Sequence, residues 1–340
     1  MPTHRSSVTS VSWIPSEAIP LVLMKVPVLL GIAQYDAPPP DRLEDLDALH
    51  AAGAFRFANR LSAWVEVEDG QIVDAGYDGG GLMSSTVAHL KAATFAFPPV
   101  RYPDIQKEPE FGDGWVRFVQ TTGGRTGSPM PRKISRPPFV QVTAPVVWTT
   151  LSLTLHADGR AEYGVNGASP FPRHWFYDHD GALVKKSGIA DYRSWADAMH
   201  GDNTPWGDRE NEVLIADAET ELERAMSSTI MRGGAKPEFR RLEAGDTLIQ
   251  QGETGTELFL VLDGMLTIAV DSEAIAEAGP GSILGERAIL EGGQRTSTVR
   301  ALTPVRVAVA AADQVDREAL AELAGGHRRE DQPADAEDGI

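Results

Sequence analysis

The 340-residue chain contains no cysteine, which excludes disulfides, thiolate catalysis and cysteine-ligated zinc. It also lacks a long apolar run. The greasiest stretch, Ile19 to Ile32, is broken by Pro20, Lys25 and Pro27, and falls short of the roughly 20 residues a membrane helix needs. The opening Met1-Pro-Thr-His-Arg-Ser6 does not have the charged-then-apolar layout of a secretory leader, so a cytoplasmic location is expected. Basic residues are scarce, with 31 Lys and Arg against 49 Asp and Glu for a formal charge of −18. Such a surface repels phosphate backbones. Also missing are the Gly-Lys-Ser/Thr ending of a phosphate loop, a His-Glu-x-x-His pair, a dinucleotide fingerprint and a Gly-x-Ser-x-Gly elbow.

What is present is enough chain, 42% of it hydrophobic, for two cores of ordinary size. A break is expected where two glycines and a proline interrupt Met231-Arg-Gly-Gly-Ala-Lys-Pro237. This divides the chain into an N-terminal domain (1–232), a linker (233–237), a C-terminal domain (238–329) and an acidic, disordered tail (330–340). Before the break, Val213, Leu214, Ala218, Leu222, Ala225 and Met226 recur at helical spacing, which predicts a helix over 211–230. It is read either as the closing helix of the first domain or as a coupler into the second.

In the first domain, Ser10 to Ile14 reads as a strand, Ser16 to Leu23 as a short helix, and Asp41 to Ala52 as a helix opening after three prolines. Alternating runs then flank Asp69-Gly70 and Asp158-Gly159, which are hairpin signals. Gly114 to Gln120 is a further strand. The order of one strand, helices, antiparallel strands and a long last helix resembles START-like helix-grip domains in element order only. A calycin-like barrel or an unclassified α+β sandwich gives nearly the same pattern. Thr121 to Lys133, glycine-rich and basic, is read as a solvent loop, and Asp78-Gly-Gly-Gly81 as a flexible hairpin end. Ser169 to Asp180 holds two histidines and two aspartates, but its prolines and aromatics mark it as strand-like, so no metal is expected there.

The most specific signal is Leu284-Gly-Glu-Arg-Ala-Ile-Leu-Glu-Gly-Gly-Gln-Arg-Thr-Ser-Thr-Val299. Arg295 offers a planar, permanently charged fork suited to a cyclic phosphodiester. Backbone N–H groups from Gly285 through Arg287 and Ala288 can share a further phosphate oxygen, and the Glu286 carboxylate can accept from a sugar 2′-OH. Upstream, Thr247 to Gln250, Leu258 to Leu262 and Leu266 to Val270 alternate between glycine turns at Gly245, Gly252, Gly255 and Gly264, the pattern of a small barrel or jelly roll.

Over this whole last third the chain resembles the cyclic nucleotide-binding domain of catabolite activator protein, cyclic-nucleotide-dependent kinases and nucleotide-gated channels. Leu284 stands where that family usually has an aromatic, and Arg287 where it mostly has an apolar residue; neither change removes a phosphate or ribose contact. The resemblance implies a β-roll with short flanking helices, cAMP or cGMP as ligand, no metal, and Gly285, Glu286, Arg287, Ala288, Arg295 and Thr296 as the binding residues. It also implies that a hydroxyl at Thr296 can bond a syn guanine, and it favours cAMP only as the commoner bacterial ligand.

The whole chain is therefore expected to be α+β and β-rich. DNA-binding relatives carry a helix-turn-helix after the roll, whereas here one short helix is predicted within Gln314 to Arg329. With 20 acidic and 10 basic residues over 236–340, no nucleic acid partner is expected. Three readings remain. The favoured one is a non-enzymatic sensor in which nucleotide on the roll regulates an N-terminal domain that holds a small ligand or protein partner. The second is a nucleotide-regulated enzyme, for which Arg125, Arg173 and His174 would converge on a deep N-terminal pocket. The third is a roll that has lost its ligand and serves as an interaction module.

Overall fold

A computed structural model describes residues 2–14, 36–90, 93–127, 130–133, 137, 140–143, 146–187, 204–206, 215–218, 221–232, 237–311 and 315–326. The chain divides into two packed units, 1–213 and 214–340. The predicted Ser16 to Leu23 helix and the 330–340 tail lie outside the described residues.

The first unit is built on two antiparallel sheets. In one, Thr3–Trp13 lies between Arg173–Tyr177 and Phe57–Glu68, and Gln71–Met83 pairs outside the last of these through the Asp69-Gly70 turn. In the other, Val146–His156 lies between Ala161–Ala168 and Trp115–Arg125. Three short strands, Val100–Arg101, Ile105–Gln106 and Glu110–Gly112, then pair in turn along Trp115–Arg125. The strand and hairpin signals arise from period-two alternation, visible in Phe57–Glu68 as buried and less buried positions in turn.

Between the sheets the apolar core, including Leu61, Phe118, Leu151 and Leu153, is crossed by a polar seam. Ser10 Oγ meets Thr149 Oγ1 at 2.8 Å, Asn59 Nδ2 donates to the Thr149 carbonyl at 3.0 Å, and Gln120 Nε2 donates to Asn59 Oδ1 at 2.8 Å. Each of these four buried side chains thus finds a partner, as burial requires.

Several expectations are corrected here. The helix predicted over Asp41 to Ala52 is confined to Leu46–Ala51, because the Asp45 side chain caps it by accepting from the Ala48 N–H at 2.8 Å. Thr121 to Arg125 is strand, not solvent loop: a Cβ at Gly123 would lie 2.2 Å from the Val147 carbonyl and one at Gly124 2.2 Å from the Val100 carbonyl, so the glycines admit backbone on both sides. Asp78 to Gly81 likewise belongs to Gln71–Met83 and is no hairpin end, since a Cβ at Gly79 would lie 2.1 Å from the Arg60 carbonyl. The glycines in both places mark close approach of backbone.

The second unit is a roll of two four-stranded antiparallel sheets. Glu238–Leu242, Val305–Ala311, Glu257–Asp263 and Ile283–Leu284 form one, in that order; Thr247–Ile249, Thr298–Ala301, Leu266–Val270 and Glu273–Ala278 form the other. The apolar run in Glu257–Asp263 serves two cores. Phe259 and Val261 face the roll interior with Leu266, Leu284 and Val307, while Leu258 and Leu260 turn outward against Met226, Ile230, Leu320 and Leu323. Those four come from two helices, Glu221–Arg232 and Arg317–Gly326. A strand covered on both faces reads as continuous hydrophobic rather than alternating. The helix predicted over 211–230 therefore begins at Glu221, after a strand at Ile215–Asp217. It packs on the roll through Met226 and Ile230, and the division into packed units falls before it, between residues 213 and 214.

Candidate functional site

Arg295 lines a cavity of the second unit. Its main chain is fixed on both sides, with its N–H donating to the Glu253 carbonyl at 2.7 Å and its carbonyl accepting from the Gly252 N–H at 2.8 Å. The side chain is 7% exposed and lies in a slot floored by glycine: a Cβ at Gly255 would be 2.7 Å from its Nε, and one at Gly285 would be 2.5 Å from Nη1. Nη1 donates to the Gly285 carbonyl at 3.2 Å and Nη2 to the Glu257 carbonyl at 3.0 Å, with the Phe259 ring centroid 5.5 Å from Cζ. A guanidinium has five N–H donors, so three remain for a ligand. Burial pulls its pKa below the ordinary arginine value, and the Glu257 and Glu286 carboxylates partly restore it; the group stays charged at any physiological pH.

Gly285 has φ 95° and opens a one-turn helix, Glu286–Leu290, a conformation an L side chain resists. Glu286 is 5% exposed, and Ala288 is buried with its carbonyl accepting from the Gly293 N–H at 2.5 Å. Arg287 is tied to the last helix. Its Nη2 reaches the Ala324 carbonyl at 3.4 Å, in the last turn of Arg317–Gly326, where a cation complements the helix dipole.

The structure brings Gly285, Glu286, Arg287, Ala288, Arg295 and Thr296 together on one cavity of about 370 Å³, a size usual for a small-molecule site. Sequence reasoning did not assign the apolar wall, Ile249, Ile268, Ile275 and Val299, or Glu223, which enters from the preceding helix. Ile249 and Ile268 were legible as strand residues but not as pocket lining, and nothing in the sequence pairs Glu223 with a segment 60 positions later.

In the first unit, His174 is fully buried. Its Nε2–H donates to the Ser169 carbonyl at 2.7 Å, so Nδ1 accepts from the Ser12 hydroxyl at 2.6 Å. Burial lowers its pKa to about 4, which keeps it neutral. Arg125 is exposed and donates to the Tyr102 hydroxyl at 2.9 Å. A cavity of about 330 Å³ in the first unit is lined by Val11, Pro38 to Pro40, Phe55 and the buried Asp36–Arg56 ion pair among others; Arg125, Arg173 and His174 do not line it. Among the described residues no group of three or more acidic or histidine side chains is placed to hold a metal, and no helix is long and apolar enough to cross a membrane.

Residues 239–321 match the family model of the cyclic nucleotide-binding domain. This segment is a cyclic nucleotide-binding domain. The domain is 39% identical over 67 residues to the cGMP-dependent protein kinase egl-4 of Caenorhabditis elegans, an alignment covering 20% of this chain and 9% of the kinase. It is 35% identical over 66 residues to a cyclic nucleotide-gated potassium channel of Rhizobium etli, covering 19% of this chain and 18% of the channel. The chain thus spans less than a fifth of the length of these two relatives. A solved regulatory domain of Toxoplasma gondii PKA with cAMP aligns at 22% identity with a TM-score of 0.25, over 31% of this chain and 49% of that one.

Proposed function

We propose that this protein is a cyclic nucleotide sensor in which cAMP or cGMP occupies the roll cavity and regulates the N-terminal domain. The observation that carries this reading is the convergence of Arg295, Glu286 and the Gly285–Ala288 backbone on one cavity within the family segment. Arg295 meets the cyclic phosphate through the N–H groups left over from its two carbonyl bonds, a charge-assisted contact in a partly desolvated site. The N–H groups that open the Glu286–Leu290 turn take a further oxygen. Glu286 accepts from the ribose 2′-OH, while Ile249, Ile268, Ile275 and Val299 cover the apolar faces of the sugar and purine. Thr296, half-buried on the cavity wall, contacts the base. The net charge of −18 disfavours duplex DNA as the target of the output. No chemistry is assigned to the first unit.

Calorimetry on the full-length chain with cAMP, cGMP and 5′-AMP tests the reading. Saturable binding of a cyclic nucleotide, with 5′-AMP much weaker, is expected. Equal binding of 5′-AMP, or binding of none of the three, overturns it.

A further inference from the structure

Glu223 is a buried acid that the ligand contacts above leave without a role. It lies in the first turn of Glu221–Arg232, is 5% exposed, and lines the same cavity as Arg295. Its Oε1 accepts from the Ile283 N–H at 3.3 Å. Ile283 begins the two-residue strand Ile283–Leu284 that delivers Gly285 and the phosphate-facing turn.

A carboxylate held this deep is costly unless hydrogen-bonded, and a neutral side chain of similar size would pack more cheaply. Beside a cavity meant for an anion the cost rises further. The carboxylate's bond to Ile283 is a fixed tie between this helix and the strand that delivers the phosphate-facing turn. The helix that carries Glu223 also puts Met226 and Ile230 against Ile283, and the same apolar cluster takes in Leu320 and Leu323 of Arg317–Gly326 and, at its edge, Ile289 and Leu290 of the cassette helix. Apolar contacts of this kind slide; a directional bond to one backbone N–H does not.

We infer that Glu223 is the positioning residue that couples the cassette to Glu221–Arg232, so that occupancy of the cavity is read by this helix through the bond to Ile283. This rests on the proposed cyclic nucleotide reading of the cavity. When the ligand draws Gly285 to Ala288 onto its phosphate, the strand end at Ile283 moves with them, and the carboxylate conveys that displacement to the first turn of the helix.

Hydrogen exchange by mass spectrometry on the full-length chain, with and without saturating cGMP or cAMP, tests this. In the parent the nucleotide is expected to slow exchange in 284–296 and to change it in 221–232 as well. In Glu223→Ala the cassette response should persist while the nucleotide-dependent change in 221–232 falls at least threefold. Glu223→Gln retains an acceptor at nearly the same reach and should restore it. Glu223→Asp keeps the charge but shortens the arm, and it answers the question where the alanine chain does not fold. A purely structural Glu223 would shift exchange equally with and without ligand, leaving the difference intact. A parent-sized helix response in the alanine or aspartate variant overturns the inference, as does a glutamine variant that behaves like alanine. If the parent's cassette responds to neither nucleotide, the binding reading itself fails and takes the inference with it; a cassette response without a helix response overturns the coupling alone.

Discussion

Replacing Arg295 by alanine removes the cavity-lining guanidinium that the Gly285 and Glu257 carbonyls hold and that the proposed function sets against the cyclic phosphate. Truncating one partner of a buried, hydrogen-bonded charge pair costs about 2–5 kcal/mol, and at 1.4 kcal/mol per tenfold this is a loss of about 30-fold to several thousand-fold in affinity. The local charges push the effect to the upper part of that range. With the guanidinium gone, its positive charge no longer stands between an incoming anion and the 5%-exposed Glu286 and nearby Glu257, both of which act on Arg295, although Glu257 keeps its ion pair with Arg240 at 3.3 Å. Folding should suffer little, because the Gly285 carbonyl that loses a donor borders the cavity, where water can replace it; about 1 kcal/mol is expected. Titration calorimetry against cGMP and cAMP gives the affinity, and thermal unfolding gives the control. Arg295→Lys should fall between the two, since an ammonium keeps the charge without the planar fork. An alanine variant within twofold of the parent would mean that the arginine is structural and the phosphate is bound elsewhere.

Three further outcomes are expected. Gly285→Ala combines a left-handed φ of 95° with a Cβ 2.5 Å from Arg295 Nη1. It should cost about 1–2 kcal/mol from the backbone conformation alone, visible as a melting temperature lower by several degrees, and should weaken nucleotide binding; unchanged melting would contradict the assigned turn. Thr296→Ala should weaken cGMP more than cAMP, by up to about tenfold or 1.4 kcal/mol, and equal losses in a competition assay would show that the hydroxyl does not read the base. His174 is held neutral with a pKa of about 4, below its value near 6.5 in an unfolded chain. The unfolded state therefore binds more protons between those values, and stability falls as pH drops from about 6.5 to about 4, by roughly 3 kcal/mol. Denaturation of His174→Asn across that window should give a flatter pH dependence than the parent, and an identical slope would refute the assignment.

The roll and its site were more legible than the first unit for a physical reason. A phosphate-facing turn needs a particular glycine, a carboxylate and an arginine at fixed spacing, so Gly285, Glu286 and Arg295 announce themselves within a dozen residues. The paired alternation of Phe57–Glu68 and Val146–His156 likewise survives in sequence because one face of each strand is buried. What stayed hidden depends on neighbours distant along the chain. Glycines at 79, 123 and 124 look like loop until another strand's carbonyl is placed beside them. His174 reads as a possible pocket residue until Ser12, over a hundred residues away, is found against it. Arg287 looks like a rim charge until Ala324 arrives beneath it.

The two-faced strand Glu257–Asp263 decides how the nucleotide-binding part can be cut out of the chain. A fragment starting at Pro237, where the glycine-rich break invites the cut, would strip Met226 and Ile230 from Leu258, Leu260, Ala308 and Ala310. Each lost large side chain forfeits about 1.5–3 kcal/mol of burial, and the part of the row that Leu320 and Leu323 do not cover becomes an apolar β surface of the kind that associates with itself. Starting at Glu221 keeps that surface covered, so the shortest soluble piece of this protein is set by the outside of its roll and not by the span of residues that meet the ligand.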